Sequence, residues 1–473
     1  MKKRKSLFLS LVSLMIISTL SACTNKLMTC DDIELNGTTI CFDEKLEQYK
    51  IESDAHLVVS VDDDKWGEAI VEIWNNAHPD SIGAVTFINS KRNESGLISD
   101  QIYNDADIYI LHDSEVVKNS EKFLAFDKVL TDTLKDNSVE SFLNSVNTTE
   151  NLVYAPILYD YGLVFVWNKT MLEMIDLSTI DANNDNLPDA FDTWEEIFSL
   201  LASWYTGDRP MYKGKPIETL FPLTLNNQWS DYHHLSSTGW QMFENGPLDP
   251  GYDDLEFKTG FEFLEDAKAS FISVEIAEDG SETLSPGVEM NWRWEDVLDS
   301  EIAPFGFLGT WMDLTTAEAN TGSDFIVSAL PTYNGNHQST LVNTKGLVIS
   351  TNTKFRSAAH ELGRLIYSKA GFQALVDNTK YAPSLSNDSI YIPIFKANNI
   401  QEDLMYGFLY SSSEYFETIP NNKKLSAMSV AYYQSFLNDA QIAIWDGSKS
   451  IDQSIADLIT ISDALLAEAN EER

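Results

Sequence analysis

Basic residues are scarce in this sequence of 473 residues, in which 32 Lys and Arg stand against 73 Asp and Glu and give a formal net charge of −41. A surface of this sign repels the phosphates of nucleic acids and the headgroups of anionic lipids. We therefore expect no nucleic acid partner, and a neutral or cationic ligand is weakly favoured. The simplest role of the charge is solubility in an external medium.

Long apolar runs are also missing beyond the first 22 residues, so no later segment is expected to span a membrane. At the N-terminus, four basic residues at 2–5 precede an apolar stretch at 7–20, which is too short for a spanning helix and matches a secretory signal. The stretch ends in Leu20-Ser21-Ala22-Cys23, which resembles the lipobox of bacterial lipoproteins. The resemblance implies that residues 1–22 are removed and that lipid on Cys23 anchors the chain at the extracellular face of the cell membrane. The alternative is an ordinary signal peptide followed by an incidental cysteine.

Cysteine is rare too, since only Cys30 and Cys41 remain after Cys23. A four-residue turn at 34–37 would place Cys30 opposite Cys41, whereas a two-residue Asn36-Gly37 turn would place Cys30 opposite Asp43. An external location favours a Cys30–Cys41 disulfide, and two free thiols are the alternative. We expect residues 23–54 to form a tether that carries this small hairpin.

Signatures of catalysis are absent from the sequence. It contains no G-x-S-x-G, no P-loop and no H-E-x-x-H, and His360-Glu361 lacks the second histidine of a zinc motif. Carboxylates are so numerous that composition alone leaves a glycosidase pair open. We predict that the chain is not an enzyme and has no catalytic cofactor.

Apolar runs of strand length alternate with helical patterns from residue 56 onward. Residues 57–61, 85–88 and 108–111 are predicted strands, and residues 66–77 form a predicted helix with Ile70 and Trp74 on one apolar face. This alternation is typical of an α/β fold with a doubly wound sheet. Helices dominate residues 193–330, and strands return afterwards.

Short segments spread along the chain resemble, in the same order, those of bacterial extracellular solute-binding proteins of the maltose/maltodextrin-binding class. The resemblance covers roughly residues 55–473, and its strength lies in the joint order of the segments. The segments are 61–66, 106–113, 154–169, 193–197, 309–311 and 330–333.

This resemblance implies a two-lobed periplasmic-binding-protein-like fold (type II), in which the chain crosses a hinge near 158–162, 329–333 and 382–388. The first lobe would comprise residues 55–158 plus 332–384, and the second residues 159–331 plus 385–473. It further implies a monomer that captures a maltodextrin-like oligosaccharide and delivers it to the membrane permease of an ABC transporter. A surface glycoside hydrolase and a carbohydrate-binding adhesin remain the alternatives.

A sugar site needs flat aromatic rings for the C–H faces of the sugar and planar polar groups for its hydroxyls. An acidic run at 62–64 follows a predicted strand, where ligands of open α/β folds bind, and an aromatic residue elsewhere, such as Trp74 or Trp194, is more typical of a core. The late-helix tryptophan of the family falls near Ser429, with Tyr432 close by, and the inter-lobe carboxylate of the family is replaced at 226–229. The predicted ligand-binding residues are Asp62, Asp64, Lys65, Trp66, Asp113, Asp160, Asn227, Trp229, Trp311 and Tyr432.

Residues 181–192 have the ligand spacing of an EF-hand-like calcium loop. Oxygen-bearing side chains stand at positions 1, 3, 5, 9 and 12, and a backbone carbonyl would serve at position 7. Asn186 replaces the usual glycine, which an asparagine can do because it tolerates a left-handed backbone. A polar turn that caps the next helix is the alternative to structural Ca²⁺. The predicted ligands are Asp181, Asn183, Asp185, Leu187, Asp189 and Asp192.

Overall fold

The computed structural model describes residues 29–35, 38–90, 92, 98, 103–147, 152–204, 209–217, 219–223, 225, 228–242, 249–270, 272–276, 282–286, 298–310, 312–338, 340–385 and 437–471. Its strands are β1 (Thr29–Leu35), β2 (Thr38–Asp43), β3 (Gln48–Tyr49), β4 (Leu57–Val61), β5 (Val85–Asn89), β6 (Ile108–His112), β7 (Ala155–Tyr161), β8 (Leu163–Asn168), β9 (Met211–Tyr212), β10 (Lys215–Pro216), β11 (Ile272–Ile276), β12 (Glu282–Pro286), β13 (Phe305–Gly309), β14 (Phe325–Ser328) and β15 (Asn343–Ile349). Its α-helices are α1 (Asp64–Ala77), α2 (Asp113–Asn119), α3 (Lys128–Asn137), α4 (Glu140–Val146), α5 (Lys169–Met174), α6 (Trp194–Trp204), α7 (Gln228–Ser236), α8 (Leu255–Gly260), α9 (Glu262–Ser270), α10 (Leu314–Thr321), α11 (Arg356–Ile366), α12 (Lys369–Asn378), α13 (Asn438–Trp445) and α14 (Ile451–Glu471).

The first lobe is built on a five-stranded sheet with the order β5-β4-β6-β15-β7. Strand β4 runs parallel to β5 and β6, and β15 runs antiparallel to β6 and β7. All five residues of β6 are buried, as expected for a strand that is covered on both faces. The predicted α/β architecture of this region is confirmed.

Helix α1 ends at Ala77 as predicted, but it begins at Asp64, two residues before the predicted start. The Asp63 side chain accepts a hydrogen bond from the Trp66 backbone N–H at 2.9 Å and so caps the first turn. Ile70 and Trp74 on its apolar face are fully buried against the sheet. The helix therefore starts directly after the end of β4, and it holds the intervening acidic residues at the edge of the sheet.

The second lobe contains an antiparallel sheet with the order β13-β8-β14. Every residue of β8 is buried, and an aromatic core packs on one face of the sheet. In that core the Trp194 ring lies 5.0 Å from the Phe221 ring in an edge-on arrangement. Trp194 is fully buried, which agrees with its assignment to the core.

The two sheets are joined by the hinge. The first crossing lies where predicted, because β7 belongs to the first sheet and β8 to the second, with Gly162 between them. The second crossing lies later than the expected 329–333. Leu330 and Tyr333 pack in the second-lobe core, whereas β15, which begins at Asn343, belongs to the first-lobe sheet. The return to the first lobe therefore falls just before β15.

The segment before the first lobe was expected to be a tether, but its described part docks on helix α11. Glu52 accepts hydrogen bonds from the backbone N–H groups of Ser357 and Ala358, each at 2.9 Å. The Tyr49 backbone N–H donates to the buried Glu361 carboxylate at 2.9 Å. Because Glu52 satisfies free N–H groups at a helix N-terminus, the segment is part of the lobe surface.

The pairing of β1 with β2 changes register along the hairpin. Leu35 pairs with Thr38, and Cys30 pairs with Cys41. A register irregularity between Asp31 and Leu35 accounts for the change. Cys41 is disulfide-bonded. Cys23 lies outside the described residues, and within the described part no helix has the length and apolar character needed to cross a membrane.

Candidate functional site

Three predicted ligand residues from distant parts of the sequence meet at one edge of the first-lobe sheet. Asp62 follows β4, Asp113 follows β6, and Asp160 lies in β7 next to the first hinge crossing. The carboxyl ends of the parallel strands β4 and β6 bring the first two together, and β15 lies between β6 and the hinge strand. We call this group, together with His112 and Lys345, the hinge-edge cluster.

Lys345 is the centre of the hinge-edge cluster. Its Nζ lies 2.9 Å from Asp62 Oδ2 and 2.8 Å from Asp160 Oδ1, and its side chain is only 7% exposed. Burial alone would lower the pKa of the Lys345 ammonium, but the carboxylates of Asp160 and Asp62 outweigh that effect. Its pKa is therefore raised above the ordinary value, and Lys345 is charged throughout the physiological range.

His112 links the other two carboxylates of the cluster. Its Nδ1 lies 3.0 Å from Asp113 Oδ1, and its Nε2 lies 3.6 Å from Asp160 Oδ2. Burial lowers the pKa of the imidazole, but Asp113 and then Asp160 raise it by more, so the net shift is upward. The cluster thus holds three carboxylates with one lysine and one histidine that is easily protonated.

Asp113 was predicted to contact the ligand, but its carboxylate is directed at the protein. It accepts hydrogen bonds from Asn343 Nδ2 and from the Thr344 backbone N–H, each at 3.0 Å. The prediction is therefore corrected, because these bonds to β15 leave Asp113 a supporting role. Asp62 and Asp160 differ, since in the described structure Asp62 Oδ1 and Asp160 Oδ2 are buried oxygens that accept no hydrogen bond.

Of the predicted ligand residues that follow Asp62, Asp64 and Lys65 lie on the surface and Trp66 lies in the core. Asp64 and Lys65 are exposed in the first turn of α1, and Asp64 accepts a hydrogen bond from Asn89 at 2.9 Å. Trp66 was predicted to be a sugar platform, which is wrong. Its ring is 1% exposed within the first-lobe core, so it has no free face for a ligand.

The predicted groups of the second lobe lie at the margin of the described structure. Trp311, Asn227 and Tyr432 lie outside the described residues. Trp229 belongs to α7, but its side chain is not among those described. Thr310, which precedes Trp311 in the sequence, donates from its hydroxyl to the Asp160 carbonyl at 2.6 Å.

Lys345 and His112 were missed as site residues by the sequence analysis. Lys345 is the one charged residue of β15, in a strand whose seven residues are all buried. A lysine within a buried strand is a usable signal, because an ammonium group is rarely buried without a partner. That signal indicates an ion pair, but it does not tell which of the 73 acidic residues supplies it.

The loop 181–192 folds back on itself through its own side chains. The Asp181 carboxylate accepts from the backbone N–H groups of Asp185 at 3.2 Å and Asn186 at 3.0 Å. Asn186 has a φ of 66°, the left-handed backbone that its position in a calcium loop requires. Burial, followed by repulsion from neighbouring carboxylates with Asp185 first, raises the pKa of Asp192 to about 6.

In the described structure the side chains of this loop are not arranged as calcium ligands. The Asn183 amide nitrogen points at Asp185 Oδ2 and Asp192 Oδ2, at 3.0 and 3.4 Å, where a calcium ligand would present its oxygen. In the described part of the chain, no group of three or more His, Cys, Asp or Glu side chains is arranged to hold a metal ion. The calcium ligands therefore stay a prediction.

Comparison with known proteins supports the two-lobed architecture. The solved structure of maltodextrin binding protein MalE1 from L. casei BL23 without ligand has a TM-score of 0.63 at 14% sequence identity and covers 88% of this chain and 100% of that chain. The maltose-binding periplasmic protein MalE from Listeria monocytogenes in complex with maltose has a TM-score of 0.65 at 17% identity and covers 88% of this chain and 99% of that chain. At these identities the likeness shows the fold, a two-lobed type II architecture.

No curated protein sequence matches the chain. A family model described as bacterial extracellular solute-binding protein matches residues 95–391. This match takes in the hinge strands, the loop 181–192 and all of β15. Because it spans more than half of the sequence, the chain belongs to the family of bacterial extracellular solute-binding proteins.

Proposed function

We propose that this solute-binding protein captures a maltodextrin-like oligosaccharide between its lobes and delivers it to the permease of an ABC transporter. It would do so as a monomer tethered to the outer face of the cell membrane by lipid on Cys23. The observation that supports this most strongly is the hinge-edge cluster, where residues predicted from separate segments meet beside the hinge. A binding cleft between two lobes is expected at this place.

The chemistry of the cluster suits a ligand that donates hydrogen bonds. Asp62 and Asp160 each present one buried oxygen that accepts no hydrogen bond within the described structure. Burying such an oxygen without a donor costs roughly 1–3 kcal/mol, or more for a charged group. A sugar hydroxyl that enters the cleft would donate to it and remove that cost.

Closure of the lobes would complete the site. The Asp160 carbonyl accepts from Thr310 of the second lobe, so the acidic edge of the first lobe is connected to the segment that leads into Trp311. A ligand that contacts both sides favours the closed state and shifts the equilibrium toward it. The two structural relatives are a maltodextrin-binding protein and a maltose-binding protein in complex with maltose, and this supports glucose oligomers as the first ligands to test.

The test is a titration of the protein from residue 24 onward with maltotriose, followed by calorimetry and by analysis of the sugar afterwards. We expect saturable binding with intact sugar, and a loss of affinity in Asp62→Asn. Asp80→Asn, at an exposed position in the same lobe, is the matched control. Sugar cleavage would indicate a glycoside hydrolase, and the absence of binding across a broad sugar panel would contradict a sugar-binding role.

We also propose that loop 181–192 binds structural Ca²⁺. The proposal is supported by the spacing of its oxygens and by the raised pKa of Asp192, which comes first from burial and then from the neighbouring carboxylates. A divalent cation would convert the repulsion from these carboxylates into coordination once the Asn183 amide turns its oxygen inward.

A further inference from the structure

Lys345 occupies a position where a charge is costly. It lies in the middle of β15, between β6 and β7, and it is paired in register with His112 and Leu158. An ammonium group in such a strand is tolerated only if ion pairs replace its water. Asp62 and Asp160 supply these pairs from two different strands, so Lys345 is held from both sides.

The backbone beside Lys345 is adapted to direct its side chain. The register between β15 and β7 shifts between Lys345 and Gly346, and such an irregularity turns a side chain away from the regular pleat. A Cβ at Gly346 would lie 2.4 Å from the Ala155 carbonyl oxygen. Glycine is therefore required next to Lys345, because β15 and β7 approach each other closely at this point.

The charges around Lys345 explain what its ammonium does. Asp62 comes from the end of β4 and Asp160 from β7, and Tyr381 presents its ring 6.0 Å from the ammonium. His112 contacts both Asp160 and Asp113, so it extends the cluster beyond Asp160. Without the ammonium, Asp62 and Asp160 would be two buried like charges, and one of them would take up a proton.

We propose that Lys345 is the internal counter-ion of the ligand site, and that it keeps Asp62 and Asp160 ionised and aimed as hydrogen-bond acceptors. The inference rests on the proposed function. Because the positive charge that these carboxylates need is already supplied by the protein, the site selects an uncharged, hydroxyl-bearing ligand over a cationic one. Lys345 is thus a positioning and specificity-determining residue.

The first test compares Lys345→Met with wild type and with Lys380→Met. Lys380 forms an exposed ion pair with Asp313 in the same region of the chain and is the matched control. We expect Lys345→Met to bind maltotriose roughly 10-fold or more weakly at about pH 7.5, since each charged acceptor is misplaced or protonated. Its preference for glucosamine trimer, a cationic sugar, over maltotriose should rise, whereas the control keeps the wild-type preference.

The second test needs no ligand and uses the melting temperature as a function of pH. In Lys345→Met a carboxylate takes up a proton on folding, so the variant gains stability as the pH falls, whereas the ammonium of wild type stays charged. The gap in melting temperature between the two should therefore narrow from about pH 8 to about pH 5. If Lys345→Met does not fold, Lys345→Gln, which also removes the ammonium but keeps a polar side chain, is measured in its place, and the same narrowing is expected.

The outcomes separate this inference from the proposed function. A constant gap in melting temperature, or an unchanged preference between the two sugars, would overturn the role of Lys345. If the wild-type protein binds no maltotriose while the gap in melting temperature still narrows, the proposed sugar ligand is contradicted. The role of Lys345 as counter-ion is then still supported.

Discussion

At the scale of single residues, the structure places Trp66, one of the tryptophans predicted to contact the ligand, in the core. Trp66 is buried in the core of the first lobe, whereas the resemblance places Trp311 on the cleft. We expect Trp66→Ala to lower the free energy of unfolding by roughly 3–5 kcal/mol through cavity formation. Trp311→Ala should instead weaken sugar binding by about 1–3 kcal/mol and leave folding intact. Urea unfolding and calorimetry on both variants check this, and an unfolded Trp311→Ala would place that ring in the core.

His234 makes the stability of the second lobe sensitive to acid. It is fully buried, and its ring stacks on Phe263 at 5.2 Å. Burial, and secondarily the neighbouring His233, place the pKa of His234 well below its usual value. The folded state therefore binds fewer protons than the unfolded chain, and the stability contributed above about pH 6.5 is lost as the pH falls.

We expect the melting temperature to fall below about pH 6.5 in wild type and to fall less in His234→Gln. His337→Gln, at an exposed position, should behave as wild type. Calorimetric scans between about pH 5 and 8 make the comparison, and equal slopes in all three proteins would contradict the role of His234.

At the scale of elements, the docked N-terminal segment is held by polar contacts that can be removed one at a time. The Tyr49 hydroxyl donates to Asp127 at 2.5 Å, and Asp127 also caps helix α3. Tyr49→Phe keeps the ring but leaves a buried carboxylate one hydrogen bond short, so we expect a loss of about 1.5–3 kcal/mol in the free energy of unfolding. Urea denaturation measures it, and an unchanged midpoint would mean that the segment adds nothing to the lobe.

The proposed calcium site in loop 181–192 is the element whose expected behaviour depends most on pH. The pKa of Asp192 is raised to about 6, so without a cation the loop is less strained when Asp192 is protonated, and this stability is lost as the pH rises through about 6. We therefore expect excess chelator to lower the melting temperature more at about pH 7.5 than at about pH 5.

In that experiment Asp185→Ala should abolish the sensitivity to chelator and leave sugar affinity unchanged. Asp176→Ala, just before the loop, is the control. A melting curve that chelator leaves unchanged at both pH values would reduce residues 181–192 to a polar turn.

Elements with a strong local pattern were predictable. Strands β4 and β6 follow from apolar runs, and helix α1 follows from the apolar face that carries Ile70 and Trp74. The late position of the second hinge crossing was not predictable. Leu330 and Tyr333 could pack in the core of either lobe, and only the folded structure shows that they join the second.

At the scale of the whole molecule, the sequence predicts the fold through the order of its segments, but not the pairs that join distant segments. Lys345 and Asp62 are 283 positions apart, and no local pattern connects them. Asp62 and Asp160 could be proposed as ligand-binding residues from their places at a strand end and at the hinge. Their shared counter-ion became visible only when β15 was placed between β6 and β7.

The last prediction concerns the attachment of the molecule. Only residues 24–28 separate Cys23 from β1, and a fully extended chain of this length spans roughly 20 Å. Because the segment after the hairpin is docked on α11, a lipid on Cys23 would hold the first lobe close to the membrane instead of on a long tether. Cys23→Ser should release the protein from the membrane fraction without a change in affinity for maltotriose, since the hinge-edge cluster involves none of these residues. Fractionation of cells and calorimetry on the released protein measure the two properties, and a variant that stays with the membrane would require an anchor other than Cys23.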